Sequence, residues 1–474
     1  MSKKIKKDKP QEPVPVFVVP QMQPFPVGDD SSSPITQHPS PITPLSLPER
    51  IDSILEKNRT TTVTTTQYTR ARHRRNRRAI KVTKVVERKY QLGCLIYDLT
   101  ADSVVYSHDA DNMMTPASTQ KLFVATTFLE TRGKDFNFET SMTTDGKTMT
   151  DSVGRPFFKG DIYLHGSFDP TLTTEDVRTL TNALRSLNVD SIDGRIIVDD
   201  HLKAAVMKHR GWQWDNIPLS EEFTFTPVTF NEGRGTAKGR VRHPELNFAS
   251  TIAKQLMADS IRFSSAEPWD VSMTRVSGKR TLHKLVTPCS RILARMLKRS
   301  NNTYAESIML NICKDNDDWT YERCRDEVRN TVRSSIGYAN KHRSKDEQKR
   351  SENDLQGYYT VIDGSGLSHS NKTTARSQVN LLRYIASRRT LFDEIYLHLP
   401  IAAVDGTISK RMSGPLTKNN VRAKTGTVNA VSTLTGYVTA SNGHLLIFST
   451  LVNGTYDQGF AHTLQDKICE EIAR

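Results

Sequence analysis

The chain has 474 residues, more than one hydrophobic core usually organises, so two folded units plus some unfolded length are expected. With 36% apolar and 25% charged residues, and no stretch near the roughly 18 apolar residues of a membrane span, a transmembrane helix is not expected. The net charge of +14 suggests nucleic-acid binding only until it is located: residues 1–90 hold 18 Lys and Arg against 8 Asp and Glu, leaving +4 for the rest.

In chain order, residues 1–84 are expected to form a disordered, Pro- and Thr-rich basic tail, because Pro10 to Pro48 has too few apolar residues to offset chain entropy. Pro48 to Asn58 carries an amphipathic pattern on Ile51, Ile54 and Leu55, yet solvated chain is the expectation there too. Solvated chain is likewise expected for the basic run Arg70 to Arg78, and the basic tail as a whole is expected to contact anionic surfaces. Met1 to Lys9 has the charge that opens a secretory signal. The apolar run that follows, Val16 to Val19, is fenced by Pro15 and Pro20 and too short, so no signal peptide is recognisable.

Folded chain is expected from Val85. Leu92 to Asp98 and Val104 to Ser107 read as strands joined at Thr100-Ala101-Asp102, and a helix runs from about Ser118 until Gly133 ends it. Near the other end, Val421 to Val428, Ser432 to Thr439 and His444 to Val452 read as three strands, the last two joined at Asn442-Gly443. A final helix puts Phe460, Leu464, Ile468 and Ile472 on one face. The simplest assembly is α+β, one antiparallel sheet flanked by helices and built from residues 85–134 and 281–474. Residues 135–280 are expected to form an inserted α/β domain, with strands at Asp161 to His165 and Ile196 to Asp199 around a helix at Glu175 to Leu187. Lys341 to Asn353 reads as a charged surface loop. The five cysteines are too scattered for a disulfide framework and contain no CxxC pair; buried thiols are expected, with a Cys313–Cys324 bridge left open.

Ser118-Thr119-Gln120-Lys121 puts a hydroxyl and an amine three residues apart at a helix start, on one helical face. Serine needs an adjacent base to become a nucleophile, and a partly buried, neutral lysine can be that base. The helix N-terminus adds positive partial charge where an oxyanion would form. Alone the pattern is weak, since roughly one or two chance matches are expected in a chain this long. Ser300-Asn301-Asn302 lies between two apolar helices, where a serine by itself would read as an N-cap. Lys424-Thr425-Gly426-Thr427 lies in a strand, where a glycine lets another backbone approach. Together and in this order they form the SxxK, SxN, KTG set of penicillin-binding proteins and class A β-lactamases.

Further segments narrow the resemblance. Asp363-Gly364-Ser365-Gly366-Leu367-Ser368, Leu399-Pro400-Ile401 through Val404-Asp405-Gly406-Thr407, and Gly160-Asp161 through Asp169-Pro170-Thr171-Leu172 resemble signatures of class C low-molecular-mass penicillin-binding proteins, the D-alanyl-D-alanine carboxypeptidase/endopeptidase family. That family inserts its extra domain between the first and second motifs, where this chain has a separation of 182 positions. Ala403 stands where the family commonly has glycine. The resemblance implies a serine β-lactamase/transpeptidase-like fold acting on peptidoglycan stem peptides, acylated by β-lactams, and located in the periplasm or cell envelope. Ser118 would be the nucleophile, Lys121 its base, and Ser300 the proton carrier to the leaving group. Asn302 would hold Lys121 and the substrate amide, and Lys424 would polarise the network. Thr425 and Thr427 would bind the substrate carboxylate, with Gly426 between them and the amides of Ser118 and Thr427 as oxyanion hole. By their position in the insert and the charge of the acid, Trp212, Trp214 and Asp215 are a candidate outer rim for the amine of the stem's diamino acid, but core aromatics beside a solvent-facing acid are the favoured reading. No metal or other cofactor is expected, since no HExxH or comparable ligand cluster occurs.

Two rival readings stand beside this one. A β-lactamase shares the motifs and adds a base that hydrolyses the acyl-enzyme; Glu306, after the second motif, reads as a solvated surface carboxylate rather than such a base. A non-catalytic cell-wall or nucleic-acid binder would use the basic tail.

Overall fold

A computed structural model describes residues 45–68, 79–203, 226–234, 241, 243–313, 319–341 and 359–474. Residues 10–44, Arg70 to Arg78, the Trp212 to Asp215 rim and most of the Lys341 to Asn353 loop lie outside the described residues.

The first described element corrects an expectation. Helix α1 (Leu47–Lys57) forms where solvated chain was expected, its Glu49 carboxylate accepting the Ser46 backbone N–H at 2.7 Å. A helix this short is marginal in water, so its stability comes from tertiary cover. Ile51 is fully buried, and Arg50 pairs at 2.8 Å with Glu471 of the C-terminal helix. The Thr-rich stretch that follows also departs from the expected disorder: β1 (Thr60–Tyr68) pairs antiparallel with β2 (Ala79–Glu87). Threonine is β-branched as well as polar, and here the strand preference prevails.

The main sheet has the order β14-β15-β16-β3-β4, antiparallel throughout. Its strands are β3 (Gln91–Asp98), β4 (Ser103–His108), β14 (Arg422–Val428), β15 (Val431–Thr439) and β16 (Leu445–Asn453). Along β3 both alternating sets are buried, so the sheet is covered on both faces. Leu92, Cys94 and Ile96 face a core made with α1 and the C-terminal helix, α10 (Gln458–Ala473), whose Phe460, Leu464, Ile468 and Ile472 are all buried. Leu95 and Tyr97 face a larger, helical core. That core holds α2 (Gln120–Arg132), α5 (Cys289–Arg299), α6 (Asn302–Asn311), α7 (Tyr321–Asn340), α8 (Ala375–Ala386) and α9 (Arg389–His398).

The insert contains two sheets of its own, ordered β12-β10-β8-β5-β13 and β11-β9-β7-β6. They comprise β5 (Asn137–Thr144), β6 (Lys147–Thr150), β7 (Pro156–Lys159), β8 (Ile162–His165), β9 (Ser191–Asp193), β10 (Ile196–Asp199), β11 (Arg262–Phe263), β12 (Trp269–Ser272) and β13 (Arg280–Pro288). Helices α3 (Thr174–Arg185) and α4 (Pro244–Ala258) fill its separate core. The expected boundary at residue 280 falls too early, because β13 pairs along its length with β5 and runs straight into α5 at Cys289. Phe168 of the insert stacks on Trp319 at 5.7 Å, and the Asn311 side chain donates to the Ser167 carbonyl at 2.8 Å, tying insert to catalytic body.

Among the described residues no helix is long and apolar enough to cross a membrane.

Candidate active site

The three motifs arrive from different elements. Ser118 sits in a single 3₁₀ turn (Ala117–Thr119) that leads into α2, and Lys121 follows in the first turn of that helix. Ala117 has φ +47°, a left-handed conformation that L side chains adopt only under constraint. Ser300 is likewise left-handed at φ +56°, where α5 ends. It is therefore not the N-cap that its setting suggests; Asn301 caps α6, its side-chain oxygen accepting the Tyr304 N–H at 3.2 Å. Asn302 is then the first residue of that helix.

Strand β14 brings the third motif against the first. A Cβ on Gly426 would lie 2.8 Å from the Ser118 nitrogen, 2.7 Å from the Pro116 carbonyl and 2.2 Å from Thr433 Oγ1, so only glycine lets the strand pass this close. Gly366 does the same for the 363–368 loop, where a Cβ would meet the Ala117 carbonyl oxygen at 1.9 Å.

The eight residues of the three motifs come together. Lys121 Nζ lies 2.8 Å from Ser118 Oγ, 2.8 Å from Asn302 Oδ1 and 2.5 Å from the Ser365 carbonyl oxygen. Lys424 Nζ donates to Ser300 Oγ at 2.8 Å and to the Thr425 carbonyl at 2.7 Å. Ser118, Ser300, Asn302, Thr425 and Thr427 line a cleft of about 310 Å³, joined there by Thr407, Arg411 and His462.

Both amines are fully buried. Burial pushes Lys121 down to about 7, against the opposing pull of Asp363 and Glu306. Lys424 falls well below the usual lysine range through burial and the nearby Lys121. Lys121 can therefore be a neutral base near neutral pH, beside a hydroxyl that faces the cleft.

Glu306 overturns a sequence expectation. It lies on α6 as foreseen but is fully buried, its carboxylate accepting the Ser365 N–H at 2.7 Å, the Gly364 N–H at 3.3 Å and the Tyr321 hydroxyl at 2.6 Å. Burial first, and then Asp363, pushes it up to about 7. A signal existed: Asn302 and Glu306 stand four apart on one helical face, both toward Lys121's surroundings. Tyr321 gave none, being a distant aromatic that only packing brings to Glu306.

Thr407, part of a quoted signature without a role, accepts from Thr425 Oγ1 at 2.7 Å. The loop bearing it is held by Asp405, which pairs with Lys298 at 2.6 Å. Ala403 in this loop has φ +54°, a left-handed conformation that favours glycine, the residue expected there from the resemblance. Arg411 and His462 carry no motif signal; Arg411 is fixed to Asp466 at 2.7 Å.

Among the described residues no group of His, Cys, Asp and Glu could hold a metal ion. Cys313 and Cys324 are free buried thiols whose sulfurs lie 2.8 Å apart.

Residues 81–237, 231–342 and 353–473 match the D-Ala-D-Ala carboxypeptidase 3 (S13) family. The chain is 24% identical to D-alanyl-D-alanine carboxypeptidase DacB of Haemophilus influenzae, over 77% of this chain and 85% of that protein. It is also 24% identical to a D-alanyl-D-alanine carboxypeptidase of Actinomadura sp. (strain R39), over 80% of this chain and 81% of that protein. Its fold is similar to the crystal structure of penicillin binding protein 4 from Haemophilus influenzae, with a TM-score of 0.66 and 19% identity over 81% of this chain and 97% of that one.

Proposed function

The chain belongs to the D-Ala-D-Ala carboxypeptidase 3 (S13) family, and on that premise we propose how its own residues carry the reaction of a serine D,D-peptidase. The enzyme is a hydrolase that removes the terminal D-alanine of peptidoglycan stem peptides through an acyl-enzyme. The observation that carries the assignment is a fully buried amine, Lys121, 2.8 Å from a hydroxyl that lines the cleft, Ser118.

Neutral Lys121 takes the Ser118 proton as Oγ attacks the carbonyl of the penultimate D-alanine. The amides of Ser118 and Thr427 receive the oxyanion, a role supported by the close passage that Gly426 permits. Ser300, whose oxygen accepts from Lys424, passes its own proton to the leaving amine, and the proton taken up by Lys121 replaces it, which returns Lys121 to its neutral form. Thr425 and Thr427 hold the terminal carboxylate at the cleft wall. Water then hydrolyses the ester and restores Ser118.

With a β-lactam the leaving amine stays tethered, and fast release would need a dedicated base. Glu306 is no candidate, since both its oxygens are engaged in the interior. The expected outcome with fluorescent penicillin is one label, located on Ser118 by mass spectrometry and persisting for minutes, while D-alanyl-D-alanine peptides turn over repeatedly. Rapid multi-turnover penicillin hydrolysis would instead support the β-lactamase reading. The substrate places the enzyme in the periplasm or cell envelope, and fractionation tests this.

A further inference from the structure

A neutral amine has two N–H bonds and one lone pair. Lys121 has three oxygen neighbours, and they are not equivalent: the Ser365 carbonyl and Asn302 Oδ1 can only accept, whereas Ser118 Oγ can donate. With both protons committed to the two acceptors, the lone pair is left facing the Ser118 hydroxyl. The geometry of the base thus depends on where the Ser365 carbonyl stands.

Three features of the 363–368 loop fix that carbonyl. Asp363 accepts the amides of Gly366 and Ser368, each at 2.7 Å, and the Asn371 side chain at 2.9 Å, closing the loop on itself. Gly366 lets the loop lie on the nucleophile's own turn. Glu306 then joins the loop to α6, the helix that begins with Asn302, by accepting the amides of Gly364 and Ser365. Its position is set in turn by the Tyr321 hydroxyl.

We propose that Glu306 is a positioning residue for acylation: it holds the Ser365 amide so that the Ser365 carbonyl and Asn302, both referenced to one helix, orient the Lys121 amine toward Ser118. The inference rests on the reading of Ser118 and Lys121 as nucleophile and base. As the proton moves from Ser118 Oγ to Lys121 Nζ and the Oγ–carbon bond forms, the new ammonium keeps its two accepting oxygens and gives its third proton back toward Oγ. Glu306 and Asp363 favour that cation, and Lys424 opposes it. Among the described residues, Tyr321 and, beside Asp363, Tyr359 with Arg329 near it are further charged or titratable groups at this cluster; burial pushes both tyrosines well above their ordinary value.

Glu306→Gln keeps an oxygen for the Ser365 N–H, removes the charge and turns an NH2 toward the Gly364 amide and the Tyr321 hydroxyl. The test measures the second-order rate of fluorescent-penicillin acylation against pH, with thermal melting to establish folding. The expected result is a loss of about tenfold to a hundredfold, with the acid limb moved to lower pH, because Lys121 loses a carboxylate that raises its proton affinity. A folded variant with the wild-type rate overturns the proposal, as does a slower one with an unmoved limb, which marks a merely structural role. If E306Q does not fold, Tyr321→Phe, which removes the donor to Glu306 together with an acceptor of the Gly364 N–H at 3.2 Å, decides: severalfold slower acylation supports the proposal, and an unchanged rate overturns it. Failure of the wild-type protein to label at Ser118 would reject the underlying reading instead.

Discussion

Lys121 in the catalytic body and Lys203 in the insert are both buried amines, and they behave oppositely. Lys203 meets two carboxylates, Glu245 at 2.7 Å and Asp200 at 3.2 Å, and despite the cost of burial these partners raise its pKa. Lys121 meets a hydroxyl, a side-chain amide and a backbone carbonyl, and burial lowers it to about 7. What makes a buried lysine a base rather than a fixed cation is the neutrality of the oxygens that touch it. The carboxylates near Lys121 act from behind the Ser365 amide, close enough to temper its shift without pairing with it.

The largest expected effect is on chemistry. Ser118→Ala and Lys121→Ala should each abolish penicillin labelling and D-alanine release, and the double variant should be hardly worse than either, because the pair acts as a unit. Labelling of the S118A protein would refute the assignment of the nucleophile.

Lys203→Met should leave chemistry alone and strike stability. It takes the cation from Asp200 and leaves Glu245 with the His243 ring at 3.2 Å, at a cost of about 3–5 kcal/mol by denaturant unfolding, while folded protein acylates at the wild-type rate. Because its pKa is raised, the stabilisation by Lys203 is complete below the ordinary lysine value and disappears only as pH rises through the higher folded value. For Lys121 the sign concerns activity: the base must be neutral, so the acylation rate should climb as pH rises through about 7. A limb at the ordinary lysine value would erase the contrast between the two amines.

Asp200→Asn is the mildest test. Burial pushes Asp200 up to about 7, so its charge is easily given up, and Lys203 retains Glu245. A stability change within about 1 kcal/mol is expected from chemical denaturation; a larger loss would make Asp200 the true partner of Lys203.

Much of this arrangement was legible in the chain. The eight motif residues all converge, because short motifs on a helix start, a helix junction and a strand each carry their local geometry with them. The main sheet followed from strand-like runs joined at Thr100-Ala101-Asp102 and at Asn442-Gly443, and the final helix from the spacing of Phe460, Leu464, Ile468 and Ile472. What escaped depends on cover supplied from far along the chain. Residues 47–57 read as tail because the face of α10 that buries Ile51 lies about 400 residues away in sequence. Glu306 read as solvated because nothing local shows that the 363–368 loop and Tyr321 would close over it. The Ser365 carbonyl escaped for a different reason: a backbone oxygen has no letter in the sequence.

The stem of the insert has a consequence for how the chain folds. Asn137 pairs with Pro288, and the Cys289 N–H donates to the Phe136 carbonyl at 2.9 Å, so the insert leaves and rejoins the body at one place. Ser118 and Ser300 are remote along the chain, and closing so long a loop directly would be slow. Once β5 and β13 zip together, however, the ends of α2 and α5 are already adjacent, and the effective loop between the two motifs shrinks to the helices themselves. An insert that folds early would therefore speed the assembly of the active site, acting as a staple for the enzyme's own folding.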